Sequence, residues 1–257
     1  MSAARQTAIP WVDRDQPLPP ASAAWGADAP MPGLLAAGTD ISATRLLEAY
    51  RMGAFPWYAE NQPVLWWSPS PRMVLHVHSF RLHRSLRKWI QSGLRNDRLS
   101  VVFDHDFRGV IEACARVRRP TQSGTWIMPE LIDAYTDLHR IGCAHSVETW
   151  WDGVRVGGLY CVNIGGMVYG ESMFSLMPNA SKVALSALVA FCVANGMDAI
   201  DCQQETEHLA FMGAQPIPGT DFNALVAQKL AQNSPTWEFN PQMWQSLDSR
   251  IKAQHLP

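Results

Sequence analysis

His145–Trp151 (HSVETWW), Val154–Ile164 (VRVGGLYCVNI) and Met167–Phe174 (MVYGESMF) are three consecutive runs rich in β-branched and aromatic residues. Asp152-Gly153 separates the first two and Gly165-Gly166 the last two. Two-residue connections of this composition suit tight hairpins, whose central residues need positive φ, so the spacing predicts an antiparallel meander of three strands. The period then changes. Ala180–Ala194 reads as a helix closed by Gly196, and MDAIDCQ (Met197–Gln203) as a buried strand. Glu207–Met212 and Phe222–Ala231 read as further helices. Three antiparallel strands followed by helix, strand and helix make an α+β pattern.

Upstream, Leu46, Leu47 and Tyr50 stand at helical spacing within Asp40–Met52, with Gly53 as a stop. An aromatic loop follows, FPWYAENQPVLWWSPSPR, and then His76 and His78 alternate with Val as on a strand. Ser79 reads as the N-cap of a helix through Gln91. Leu82, Leu86, Trp89 and Ile90 form its apolar face, and Arg81, Arg84, Arg87 and Lys88 line the others. Leu99–Phe103 reads as a strand, Asp106–Arg116 and Pro129–Ile141 as helices. Residues 1–33 are rich in Pro and Ala and lack periodicity, as in an extended arm or a loosely packed segment. The expected division is therefore an arm (1–33), a small N-terminal α+β domain with the aromatic loop (34–78), and a larger domain that includes the basic helix (79–257).

With 257 residues, 47% of them hydrophobic, the chain can bury a proper core. No apolar run approaches the ~20 residues that cross a bilayer, and the opening residues lack the apolar stretch of a signal peptide, so no membrane contact and a cytoplasmic location are expected. Five cysteines without C-x-x-C spacing favour buried thiols over disulfides or zinc, and no histidine has metal-ligand spacing. Neither a Walker loop, nor G-x-G-x-x-G, nor G-x-S-x-G occurs, so ATP, dinucleotides and serine hydrolysis of that type lack support and no cofactor is expected. Net charge is −2, yet residues 72–119 hold 11 of the 21 Lys+Arg and 4 of the 23 Asp+Glu, +7 against −9 for the rest. Such a block suits either a local polyanion contact or a solvated helix face.

Four constellations bear on chemistry. Asp201 and Gln203 close the apolar strand, and alternation puts both opposite Ile200 and Cys202, where a carboxylate and an amide could hold an amine and the carbonyl it attacks. A helix cap would serve Asp201 equally well. Glu171 stands in an otherwise apolar or small run, so it is either paired within the fold or faces a cationic substrate. Asn179, Ser181 and Lys182 mark a helix start, where Asn179 suits an N-cap and free backbone N–H groups could also receive an anion or a terminal phosphate. Trp57, Tyr58, Trp66, Trp67 and Trp126 concentrate aromatic area in loops, which suits stacking on unpaired bases or cementing a core.

Taken together, GLLAAGTD, LLEAYRMGAFPWY, LWWSPSPRMVL, RSLRK, GTWI, LHRIGCAHSVETW, VGGLY, GESMFS, NASK and IDCQ resemble the bacterial leucyl/phenylalanyl-tRNA-protein transferase family, from about Gly33 to Phe222. The resemblance implies transfer of Leu or Phe from Leu-tRNA or Phe-tRNA to the N-terminal amine of proteins beginning with Arg or Lys, marking them for N-end rule degradation. It also implies a C-terminal domain similar to GNAT acyltransferases. By position, Asp201 and Gln203 match the family's catalytic pair and Glu171 its active-site acid. Tyr50, Trp57 and Trp126 match aromatics around the tRNA's 3′-adenosine. Leu159, Val168, Leu188, Cys192 and Ile200 fall where the family builds its aminoacyl pocket. The basic helix, with Arg81, Arg84, Arg87 and Lys88, would hold acceptor-stem phosphates. Two departures stand out: Cys161 follows Tyr160 where Gly is usual, and Leu176 follows Ser175 where Arg is common. Two rivals remain: an acyl-CoA-dependent GNAT enzyme, against which the missing glycine-rich pyrophosphate loop counts, and a non-catalytic RNA-binding module.

Overall fold

The computed structural model describes residues 8–117 and 125–247; residues 1–7 of the arm and 248–257 of the larger domain lie outside them. In chain order the N-terminal part runs β1 (Trp11–Val12), β2 (Leu34–Gly38), α1 (Ala43–Arg51), β3 (Phe55–Pro56) and β4 (Val64–Trp67). Then come β5 (Arg72–His76), α2 (Arg84–Arg95), β6 (Leu99–Phe103), α3 (Phe107–Ala115) and α4 (Pro129–Arg140). The meander is β7 (Ala144–Trp151), β8 (Val154–Ile164) and β9 (Met167–Ser175), followed by α5 (Ala180–Ala194), β10 (Ala199–Asp201), α6 (Glu207–Phe211), β11 (Gln215–Ile217) and α7 (Gly219–Leu230). The fold is α+β, with a four-stranded sheet ordered β1-β2-β4-β3 and a seven-stranded sheet ordered β11-β5-β10-β9-β8-β7-β6.

The meander forms because its turns can. Asp152 (φ 50°) and Gly153 (φ 76°) both take left-handed backbone, the conformation a two-residue hairpin needs, and Trp151 pairs with Val154 across it. The large sheet buries both faces. Alternate residues of β8 divide between them, Tyr160 and Val162 toward the cluster of α3, α4 and the small sheet, Leu159 and Cys161 toward α5. With 11 of its 15 residues buried, α5 is apolar all round, as a helix inside a core must be. It lies so close to β8 that a Cβ at Gly157 would stand 2.5 Å from the Ala180 Cβ.

Three expectations need correction. β5 belongs to the seven-stranded sheet, where it pairs antiparallel with β10 and β11, so the large sheet begins before residue 79. Its run RMVLH is too apolar for an outer edge: Met73 and Leu75 pack toward α5 and Val74 toward the opposite cluster. Ser79 does not cap α2. It closes a 3-10 turn over Val77–Ser79, the helix starts at Arg84 after His83, and Arg81 precedes it with its N–H donating to the Met212 carbonyl. Within the arm, residues 8–33 are not loose, and they carry a 3-10 turn at Ala21–Ala23. β1 pairs in parallel with β2, and the buried Arg45 guanidinium donates to the carbonyls of Asp13, Arg14 and Gln16.

Candidate active site

β9 and β10 run parallel only through Ile200↔Val168 and Asp201↔Tyr169. Beyond that point β9 continues to Ser175 while the other chain turns at Gln203, whose φ is 56°. Space opens where they part. The larger chamber, about 410 Å³, is lined by Phe55, Pro56 and Trp57, by Trp126, by Glu171–Met173, and by Cys202, Gln203, Gln204, Thr206, His208 and Leu209. A bay of about 70 Å³ adjoins it, walled by Leu159, Tyr160, Leu185, Leu188 and Ile200. Glu171, Ser172, Met173, Cys202, Gln203 and Leu209 line both.

Glu171 stands at that junction because β9 is bulged there. Tyr160 faces Ser172 and Cys161 faces Gly170, which leaves Glu171 unopposed, and a bulge re-aims the extra side chain. Its Oε2 accepts from the Tyr135 hydroxyl at 3.2 Å and its Oε1 from Gln203 Nε2 at 3.0 Å; Tyr135 in turn meets the Tyr50 hydroxyl at 2.5 Å. Burial raises both tyrosines well above the usual phenol range, which keeps them protonated donors. Loss of water pushes the Glu171 carboxyl up to about 7, against hydrogen bonding from the two tyrosines and with help from the Asp201 charge. With its amide nitrogen on Glu171, Gln203 is left with its carbonyl oxygen to offer to a ligand.

Asp201 is elsewhere. Its carboxylate is fully buried and lines neither chamber. Arg72 Nε donates to Oδ1 at 2.8 Å and Nη2 to Oδ2 at 2.6 Å, and the Gln203 N–H also donates to Oδ1, at 2.9 Å. The expectation that Asp201 and Gln203 share one side of the strand therefore fails. Alternation holds through Ala199, Ile200 and Asp201, and then the left-handed backbone at Gln203 swings that side chain to the chamber beside Ile200 and Cys202.

A sequence model of leucyl/phenylalanyl-tRNA protein transferases matches residues 74–227, and a model of their N-terminal domain matches 39–70. Curated proteins named leucyl/phenylalanyl-tRNA--protein transferase are similar over nearly the whole chain. The one from Leptothrix cholodnii is 52% identical over 97% of this chain and 99% of its own. The one from Polaromonas sp. is 51% identical over 93% and 94%. The chain belongs to the leucyl/phenylalanyl-tRNA–protein transferase family. It is a transferase, with relatives also in Methylibium petroleiphilum (53% identical, 91% of this chain and 88% of that one). Among solved structures, L-PGS from Bacillus licheniformis shows a distant likeness, TM-score 0.34 at 11% identity over 69% of this chain and 57% of that chain.

In this transferase the remaining sequence-predicted residues divide. Trp57 and Trp126, both half-buried, line the larger chamber. Tyr50 does not; it is fully buried behind Tyr135, whose hydroxyl meets its own, and the Tyr169 hydroxyl donates to its backbone carbonyl. Leu159, Leu188 and Ile200 line the bay, whereas Val168 and Cys192 do not. Val168 faces Ile200 where β9 and β10 are still joined, and Cys192 lies a turn of α5 beyond Leu188. Arg84 and Lys88 are exposed on α2, Arg81 is exposed before it, and Arg87 is half-buried. His83 stacks on Phe211 at 3.9 Å, which seats the start of α2 against α6 and the chamber residues His208 and Leu209. Sequence reasoning missed Arg72 and Tyr135. The signal for Arg72 was present, a lone cation in an apolar strand; Tyr135 carried none. It also did not foresee that Asp104, His139 and His145 come together, but the His145 and His139 Nδ1 atoms are already hydrogen-bonded to Asp104 and to the Ala144 carbonyl. Among the described residues no helix is long and apolar enough to cross a membrane.

Proposed function

We propose that this transferase carries Leu or Phe, and Met more weakly, from aminoacyl-tRNA to the N-terminal amine of cytosolic proteins that begin with Arg or Lys, the step that commits them to N-end rule degradation. The observation that carries the reading is Glu171, a carboxyl raised to about 7 where an aromatic chamber meets an apolar bay. The 3′-adenosine stacks at Trp57 and Trp126, a contact worth about 1–3 kcal/mol per base. The donor's apolar side chain enters the bay, and its ester carbon then lies at the junction. An apolar bay rejects charged side chains far better than it separates similar sizes, which fits Leu and Phe as joint donors. The meander, α5 and the parallel β9–β10 pair support a GNAT-like reading of the larger domain.

The ester is already activated, so the protein mainly positions two substrates. The amine's lone pair forms the C–N bond to the ester carbonyl carbon. Its proton passes to the Glu171 carboxylate, the C–O bond to the ribose breaks, and the proton leaves on the ribose oxygen. Glu171 takes the role that sequence reasoning gave to Asp201, because it lines the chamber and its proton affinity lies within about one unit of an α-amine's, about 7.7–8.0. The Gln203 carbonyl accepts from the attacking amine and orients it. Glu171 is also the one acid among the chamber's lining residues, so it is the counter-charge that an Arg or Lys start would meet.

The test uses purified protein, labelled Phe-tRNA and a peptide starting with Arg, without ATP or CoA. Labelled peptide is expected, with slower transfer to peptides starting with Ala or Glu. E171Q should lower the single-turnover rate by about 10²–10⁴-fold while leaving tRNA affinity within a few-fold. The wild-type rate should rise with pH through about 7, as Glu171 ionises, and keep rising until the amine is neutral. Full turnover by E171Q would remove Glu171 as the base, and no labelled peptide at all would remove the transfer reading.

A further inference from the structure

Among the described residues Arg72 is the largest charged side chain that is fully buried, and the mechanism above does not use it. It sits on β5, beside the strand that ends in Asp201. Its planar fork engages both Asp201 oxygens, while Nη1 has no hydrogen-bond partner among the described residues. The guanidinium is clasped between two rings, Phe55 at 4.7 Å and Phe222 at 4.5 Å. Phe55 lines the larger chamber two residues before Trp57.

This arrangement has a consequence for Gln203. A non-glycine residue in left-handed backbone is strained and persists only where its surroundings hold it. Two backbone contacts hold it: the Gln203 carbonyl accepts from the Met73 N–H at 3.3 Å, and the shorter one is the Gln203 N–H on Asp201 Oδ1, a carboxylate fixed by Arg72. Were the backbone to relax to extended, alternation would carry the Gln203 side chain to Asp201's side, away from Glu171 and from the chamber. The same guanidinium, through Phe55, touches the segment that presents Trp57.

We propose that Arg72 is a positioning residue for the transfer reaction, a buried clamp that acts through Asp201 to aim the Gln203 amide and through Phe55 to seat the Trp57 wall, without touching either substrate. The inference rests on the transfer reading, and its test is built to fail separately from it. Lysine keeps the charge but not the two-pronged fork, so R72K tests geometry. The double variant R72M/D201L replaces a buried ion pair by apolar groups, an exchange that is often neutral or stabilising for folding, so it keeps the question open should R72K not fold.

Both are compared with E171Q by thermal unfolding, tRNA binding and single-turnover transfer. Loss of aim should lower the turnover rate on the order of 100-fold in R72K and R72M/D201L, with tRNA affinity within about threefold. A pH profile adds a readout that a merely structural role would not move. The hydroxyls of Tyr135 on α4 and Tyr50 on α1 and the charges of Asp201 on β10 and Arg72 on β5 act on Glu171, beside the Gln203 amide that donates to it. Of the two charges, Asp201 raises its proton affinity and Arg72 lowers it. D201N should therefore move the midpoint of the acid limb down and R72Q should move it up. A folded R72K or R72M/D201L that turns over at the wild-type rate, or midpoints that stay put in D201N and R72Q, overturns the clamp. If E171Q instead proves fully active, the transfer mechanism falls and the clamp is judged on the R72K rate alone.

Discussion

A carboxyl proposed to take a proton from an amine near pH 7 cannot keep an ordinary affinity for it, and the surroundings of Glu171 supply the change. Desolvation raises it and two tyrosine hydroxyls restrain the rise. The same shift costs stability, with a sign that can be worked out. The folded value, about 7, lies above the usual value of 4.5, so between them the native state holds a proton that the unfolded chain has released. Stability contributed at this position is therefore present at acid pH and lost as pH rises through about 7. E171Q, which cannot ionise, should lose less stability than wild type between pH 5 and pH 8, by about 1–3 kcal/mol, read as the difference in thermal unfolding at the two pH values. An equal loss in both proteins would mean that Glu171 is not raised. Asp201 has a different part. With Arg72 on both oxygens and the Gln203 N–H on one, it is committed to structure.

The elements that matter most are those that stop agreeing with a neighbour. β9 and β10 pair and then part, and the gap exists because one strand is bulged and the other ends in a left-handed turn. The floor of that gap is α5, which sends Leu185 and Leu188 into the bay from successive turns while its other residues pack in the core. Shortening one of these side chains has two separable effects. L188A should destabilise the fold by about 2–4 kcal/mol, since Leu188 is 1% exposed. It should also enlarge the bay and favour Phe over Leu as donor, measured by competition between the two charged tRNAs. An unchanged donor ratio would place the aminoacyl side chain somewhere other than the bay. Helix α2 contributes differently: its apolar face, Leu86 and Ile90, is buried, which leaves Arg84 and Lys88 to solvent.

At the scale of the whole molecule, two sheets and a basic face converge on one opening. The small sheet supplies Phe55, Pro56 and Trp57, the large sheet Glu171 and Gln203, and the start of α2 abuts α6 at the chamber's edge. A strand of phosphates lying along α2 could therefore lead its 3′ end into the chamber. Neutralising phosphates releases counterions, so tRNA affinity should fall steeply with salt. R84A/K88A should weaken tRNA binding and reduce the slope of log affinity against log salt by about 2, without changing the single-turnover rate at saturating tRNA. An unaltered slope would take these two residues out of the tRNA path.

Much of this was readable from local pattern alone. The bounds of β6 and α5, the hairpin at Asp152-Gly153 and the α+β order follow from periodicity and turn chemistry, which act over a few residues and survive whatever the chain packs against. The residue types of the site, Glu171, Gln203, Trp57 and Trp126, were legible in the same way. Their roles were not, because those depend on groups far apart in the chain. Arg72 reaches Asp201 across 129 positions, and that pair fixes the turn that brings Gln203 into the chamber, whereas Asp201 stays on the side opposite Ile200. Tyr135 meets Glu171 across 36 positions, and the bulge that lifts Glu171 shows only once Tyr160 is paired with Ser172. Short-range preference chose the elements; which side chains share a solvent-free space was decided by long-range packing, and proton affinity follows the space.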